Sequence, residues 1–240
     1  MRLAYWAVTS SIKGLTHLLC RVEGSQVARV PEQGPLIIVT NHVNFLDAPL
    51  LYTCLQPRPL AGFAKAETWD NPALAVLADL WGAIPLQRGE VDLSALRAAL
   101  DALERGRILG VAPEGTRSGN GHLQKGQPGV VMLALRTQAP ILPVVSYGGE
   151  RFRENLSRLR RTQVRVVVGQ PFHLAPPAGP VTRQVRLQMI DEIMYQMAAL
   201  LPPHYRGVYS ELDQATGHYL RFFPGGGLNR KHAGVPSPRS

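Results

Sequence analysis

Cysteine is scarce in this 240-residue chain, where Cys20 and Cys54 are the only two. Neither belongs to a C-x-x-C or zinc-ligand spacing, and no disulfide framework follows, which fits a reducing compartment. Long apolar runs are also missing. A spanning helix needs roughly 20 uninterrupted apolar residues. The longest candidate, "NPALAVLADLWGAIPL", contains Asp79 and carries Pro near both ends, so no transmembrane helix is expected. The apolar run after Arg2 is short, and Lys13 and His17 interrupt its continuation, so the opening does not read as a signal peptide. Several catalytic signatures are absent: the G-x-S-x-G elbow, a Walker loop, G-x-G-x-x-G after a strand, and H-E-x-x-H. The seven histidines do not group with Cys at zinc spacings, so no metal is expected. Charge is low at 18%, while apolar residues make up 45%, which excludes a disordered chain and supplies a real core. Acids are the scarcer sign, 17 against 26 Lys and Arg, for a net charge of +9. Such a balance favours polyanionic partners: nucleic acid, an anionic bilayer or a phosphorylated substrate.

The length suits a single domain over residues 1–240. Residues 1–20 read as an amphipathic helix, with Tyr5, Val8, Ile12, Leu15 and Leu19 on one stripe. That stripe either packs on the core or lies on a bilayer. Strand-like pieces follow at "LCRVEG", "VARV" and, most strongly, "PLIIVT". Further helices are expected at 48–56, at 70–80 with Asp70 or Asn71 as cap, and at 91–105 with Leu93, Leu96, Leu100 and Leu103 on one face. Others are expected at "PGVVMLALRTQ" and at 181–200, where Val185, Met189, Ile193 and Met197 are in register. Strands are expected at "GAIPLQR", "RILGVAP", "PILPVVSYG" and "VRVVVGQPF". This alternation predicts an α/β fold, a mixed, mostly parallel sheet flanked by helices. From about residue 224 the chain is rich in Gly, Pro and basic residues and reads as a mobile tail.

"TNHVNFLDAP" places His42 and Asp47 just after a strand. Histidine is matched to proton removal near neutral pH, and a neighbouring carboxylate can hold its tautomer. Five residues apart on a regular helix, the two would lie about 140° from each other. They meet only if His42 occupies a strand-to-helix turn and Asp47 the helix start. The alternative is that Asp47 merely caps the helix ahead of Pro49. "VAPEGTRSG" is either a type I turn or a strand end presenting Glu114, Thr116 and Arg117. There the Arg117 fork suits a phosphate. Arg88 ends "GAIPLQR", Lys65 ends "AGFAK", and Pro140 and Pro143 bracket an apolar strand.

In order, the chain carries N-H-x4-D at 41–47, A-K-x-E at 64–67, G-x-I-x-x-x-R at 82–88, P-E-G-T-R-S at 113–118 and the Pro-bracketed strand at 140–145. This ordered set resembles the glycerophospholipid acyltransferase family over roughly residues 35–150. The resemblance implies a peripheral enzyme on the cytoplasmic face of the membrane. It would move an acyl chain from acyl-CoA or acyl-carrier-protein to the hydroxyl of a lysophosphatidate-like acceptor, with no cofactor. His42 would be the general base and Asp47 its orienting partner. Arg88 and Arg117 would hold the acceptor phosphate, with Glu114, Gly115 and Thr116 shaping that pocket. Lys65 would add positive charge, and Pro143 would belong to the acyl or donor site. The family often has an aromatic where Ala112 stands here, which bears on chain length and acceptor. Two other readings use the same features: a lipid ester or thioester hydrolase built on the same pair, or a non-catalytic membrane-binding protein. No nucleic-acid motif accompanies the scattered arginines.

Overall fold

The computed structural model describes residues 2–32, 34–58, 60–87 and 92–224. In chain order the helices are α1 (Arg2–Leu19), α2 (Asp47–Cys54), α3 (Pro72–Leu80), α4 (Leu93–Glu104), α5 (Gly129–Thr137), α6 (Phe152–Ser157) and α7 (Arg183–Ala198). The strands are β1 (Cys20–Glu23), β2 (Leu36–Val39), β3 (Leu60–Lys65), β4 (Ala83–Leu86), β5 (Ile108–Val111), β6 (Ile141–Tyr147), β7 (Thr162–Val168), β8 (Phe172–Leu174) and β9 (Leu220–Phe222). They form one mixed sheet in the order β1-β7-β6-β2-β5-β3-β4, with β8 joining β6 to β9. Pairing is parallel along β6-β2-β5-β3-β4 and between β1 and β7; β7 and β8 run antiparallel to β6. The expected fold class is the one observed.

The central strand explains the layering. All four residues of β2 are buried, as a parallel strand covered on both faces requires. Ile37 and Val39 join a core with α4, α5 and α7, while Leu36 and Ile38 join one with α1, α2 and α3. Caps fix the helix starts: the Asn71 side chain accepts from the amides of Ala73 and Leu74, and Asp92 from Ser94 and Ala95. Thr182 does the same for α7. Along α7, Met189, Ile193 and Met197 are buried as their spacing predicts.

Four expectations need correction. "VARV" is not a strand; Ser25–Arg29 is a 3₁₀ turn that points Val27 and Val30, three apart, into the core. "VRVVVGQPF" is two strands, because Gly169, Gln170 and Pro171 break it between β7 and β8. Leu103 is buried and Leu96 and Leu100 pack against the core as expected, but Leu93 is 56% exposed, and the inner face of α4 is completed by Ala95, Ala99 and Ala102, whose small side chains let the helix approach the sheet closely. The N-terminal stripe is also rotated. Tyr5, Thr9, Ile12, Thr16 and Leu19 face the body, whereas Val8 and Leu15 are exposed. The buried Trp81 Nε1 donates to Thr9 Oγ1 at 3.1 Å, so α1 is pinned to the fold. Arg88 and the expected tail after Pro224 lie outside the described residues.

Candidate active site

Three parallel strands deliver the site to one edge of the sheet. β2 ends into Thr40-Asn41-His42, β5 into Ala112-Pro113-Glu114, and β6 into Ser146-Tyr147. Parallel strands end together, so the loops that follow them share an edge, the usual place for a ligand in such folds.

Asn41 sets the position of His42. Its side chain is buried, donating to Ser146 O and accepting from Ser146 N, both at 2.8 Å. This two-point clasp fastens the end of β2 to the end of β6. Glu114 supplies the second clasp. It is 4% exposed, and its two oxygens accept from the amides of His42 (2.8 Å) and Gln124 (2.9 Å). Burial pushes the Glu114 carboxyl above the ordinary carboxylate range, while the two amides pull it back. The Ala112-Pro113-Glu114-Gly115 turn forms as the sequence predicts, closed by Gly115 N donating to Ala112 O at 3.1 Å. Gly115 sits there at φ +69°, a conformation that glycine adopts at little cost. Ser118 N and Gly119 N then donate to His42 O and Val43 O, zipping the two loops together.

His42 and Asp47 meet. Asp47 Oδ2 lies 2.8 Å from His42 Nδ1 and also accepts from the amides of Val43 (2.7 Å) and Asn44 (2.9 Å). The capping expectation is therefore corrected: Asp47 is the first residue of α2, and its carboxylate braces the turn before the helix, not the helix amides. A carboxylate accepts only, so the Nδ1 proton belongs on the imidazole and Nε2 keeps its lone pair. Arg117 Nε, a donor, faces that lone pair at 3.4 Å. Among the described residues, no group of three or more His, Cys, Asp or Glu side chains is arranged to hold a metal ion.

Beside His42 opens a largely apolar cavity of about 360 Å³. Its walls come from α2, α4 and α5, with Leu51, Leu96, Val130 and Leu133 among them, and from the ends of β3 and β5. Pairing of β3 with β5 stops at Gly62 opposite Gly110, and both glycines line the cavity. A side chain on Gly110 would come within 3.1 Å of Leu51, so the absence of one leaves room at this level. Lys65 lines the rim, as does Ala112. Thr116 and Arg117 are exposed and do not line the cavity; Arg117 comes near it through its approach to His42. Pro143 is not there: it is buried within β6, in register with Val39 of β2. Sequence reasoning missed Asn41 as a clasp. Its one signal was the amide immediately before His42, whose partner lies 105 residues away.

The prediction for Glu114 rests on its two bonds. Glu114→Ala leaves two amides without partners, about 1–3 kcal/mol for each one that stays buried. A lowered melting temperature together with a lowered kcat is the expected result, read by thermal unfolding and turnover of the same preparation.

An imidazole held by a carboxylate, set between an apolar cavity and a guanidinium, defines a class. It suits proteins that bring a hydrocarbon chain and an anionic group to one histidine. The chain belongs to the Acyltransferase family, whose family model matches residues 21–147. It is 29% identical over 133 residues to a 1-acyl-sn-glycerol-3-phosphate acyltransferase of Borreliella burgdorferi, covering 55% of this chain and 52% of that protein. It is 33% identical over 115 residues to a lyso-ornithine lipid O-acyltransferase of Pseudomonas aeruginosa, covering 47% and 43%. The chain thus spans about half the length of these curated relatives. In fold it is similar to the crystal structure of the 1-acyl-sn-glycerophosphate acyltransferase PlsC of Thermotoga maritima. The TM-score is 0.59 at 24% identity, over 80% of this chain and 78% of that one.

Proposed function

We propose that this protein is an O-acyltransferase that acylates the free hydroxyl of a lysophosphatidate-like acceptor. The observation that carries the reading is the His42–Asp47 pair at the mouth of an apolar cavity, with Arg117 beside the imidazole. In the proposed reaction, His42 Nε2 takes the hydroxyl proton as the oxygen attacks the thioester carbonyl of an acyl-CoA or acyl-carrier-protein donor. The carbon–sulfur bond breaks and the new ester forms. The imidazolium, stabilised by Asp47, returns the proton to the leaving thiolate. No acyl-enzyme is required. Arg117 and Arg88 take the acceptor phosphate, and Lys65 at the rim adds positive charge. The acyl chain occupies the cavity.

The test is turnover of one long-chain thioester against lysophosphatidate, glycerol 3-phosphate and phosphate-free lysolipids, read by mass spectrometry. Diacyl product made best from lysophosphatidate supports the reading. Release of free acid at a rate indifferent to every acceptor assigns hydrolysis instead. Chain length is tested at the cavity wall. Each buried methylene contributes about 0.8 kcal/mol, or about fourfold in binding. Leu96→Trp narrows the cavity, so the longest donors lose about fourfold in kcat/KM for each methylene displaced, while the shortest are unaffected.

We also place the protein on the cytoplasmic face of the membrane, where its acceptor resides. No helix among the described residues is long and apolar enough to cross a membrane. The exposed face of α1 carries Leu3, Trp6 and Leu18, and α1 contains no acid. Removing α1 would also strip Tyr5 and Ile12 from the core, so sedimentation of the full chain with vesicles is the informative test. A chain that stays in solution beside anionic vesicles refutes this placement.

A further inference from the structure

The segment 151–161, "RFRENLSRLRR", holds five arginines against one acid, Glu154. Glu154 is paired with Arg158 at 2.9 Å, which leaves four arginines in excess. All eleven residues except Phe152 and Asn155 are exposed. Within this segment α6 ends in an unusual way. Arg160 N donates to Asn155 O, and Leu159 N donates to Leu156 O. That is the paired closure of a helix whose next residue turns left-handed, a position taken mainly by glycine. Leu159 occupies it at φ +52° and is 95% exposed. A branched side chain in this conformation is strained, and here it touches almost nothing that would repay the strain. By contrast, Gln138 closes α5 at φ +54° with a polar side chain that donates to Leu135 O. A strained, fully exposed leucine between arginines needs a partner with both an apolar interior and an anionic surface.

The topology puts this turn where such a partner would have to be. α6 follows β6 at the sheet edge that carries His42. β7 starts from the same edge, since it runs antiparallel to β6. β1 starts opposite Thr162, so the last turn of α1 is there too. Arg161 Nη2 donates to the carbonyls of His17 and Cys20, joining that end of α1, with its exposed Leu15 and Leu18, to the loop. On the other side Phe45, three residues from His42 and exposed, packs edge-on against Phe152 at 5.5 Å. The end of α1 with Leu15 and Leu18, the turn with Leu156 and Leu159, and Phe45 thus all lie at the sheet edge that carries His42, with exposed arginines among them.

We propose that residues 155–160 form a bilayer-docking turn, in which Leu159 enters the acyl region of an anionic phospholipid membrane and Arg158 and Arg160 meet the headgroups, setting the His42 edge against the lipid surface. This rests on the membrane placement above and names the surface that achieves it. Arg161 is left out because it holds α1 and is a structural residue.

The experiment uses the full chain and vesicles of phosphatidylcholine alone or in equal parts with phosphatidylglycerol. Leu159→Gly removes the apolar contact and relieves the strain, so its melting temperature should hold or rise while its partition falls roughly tenfold. Arg158→Gln with Arg160→Gln should lower partition by about fivefold per arginine on anionic vesicles only. Turnover of a water-soluble short-chain acceptor should stay at the native level in both, which separates docking from chemistry. Native partition by both variants overturns the docking turn while leaving the acyltransferase reading intact. Binding of duplex DNA that is lost with the arginines and unchanged by Leu159→Gly also overturns it, and assigns the patch to nucleic acid.

Discussion

His42→Ala lowers kcat by at least about 10²-fold and up to about 10⁴-fold, the range that a positioned general base supplies. The chain stays folded. His42 is only partly buried, and its backbone bonds to Glu114 and Ser118 survive truncation of the side chain. Asp47 is different. Its Oδ2 holds the imidazole and two backbone amides at once, so Asp47→Ala damages both the tautomer and the turn that carries His42. Asp47→Asn is the cleaner probe. It keeps an oxygen for the amides and removes the charge that stabilises the imidazolium. A deficit in kcat with a near-native melting temperature is expected. Circular dichroism and single-turnover acyl transfer on the same samples check both. A folded His42→Ala chain with native turnover would mean that the acceptor is deprotonated elsewhere, and the mechanism would fall.

The parts of the molecule that were legible in the sequence are those set by neighbours along the chain. "LIIV" needs two apolar faces and so announces a central strand. Pro72 after Asn71 announces a helix start. The register of Met189, Ile193 and Met197 needs only the helical period. The illegible parts depend on partners far away. In α4 three residues of the leucine stripe, Leu96, Leu100 and Leu103, do face the core, but the face is centred on Ala95, Ala99 and Ala102, whose small side chains suit close approach, and Leu93 at the helix start is left exposed. The same holds in α1, where the buried stripe is built partly from Thr9 and Thr16. Hydrophobicity scales undervalue such residues, and Thr9 is held by a bond to Trp81, 72 residues away.

The candidate site divides along the same line. The His42–Asp47 contact was legible as a choice between a paired His and Asp and a plain helix cap, and the two side chains meet. Glu114 was expected to shape a phosphate pocket. Its carboxylate instead points inward to two amides, a role that becomes visible only once the β2 and β5 loops are side by side. Asn41 and Ser146 form the other brace. Together these clasps hold the loop that carries His42: one fastens it to the end of β6 and the other to the loop after β5, the kind of preorganisation that the proposed role of His42 would use.

Arg117→Ala should raise the KM for a phosphorylated acceptor by about 10- to 150-fold, the equivalent of the 1.5–3 kcal/mol of one charge-assisted hydrogen bond. Its effect on a phosphate-free acceptor should be small, so selectivity between the two collapses. The geometry adds a second expectation. Arg117 Nε faces the lone pair of His42 Nε2 at 3.4 Å, long for a hydrogen bond but close enough to compete with a proton or a water for that position. An acceptor phosphate offers the guanidinium a far better partner and would draw it off the imidazole. On the proposed mechanism, the His42 imidazole is then partly covered in the free chain, and an acceptor phosphate bound by Arg117 would uncover it. Without Arg117 the cover is gone, and thioester hydrolysis in the absence of acceptor should rise above the native rate even as transfer falls. Arg117→Lys separates the two effects, because it keeps the charge and loses the planar fork. It should recover part of the KM and little of the suppression of hydrolysis. The readout is free thiol released with and without acceptor, measured for all three chains. An Arg117→Ala chain with native KM and native selectivity would place the phosphate away from this arginine. One with the raised KM and unchanged hydrolysis would leave the phosphate grip standing and remove the cover.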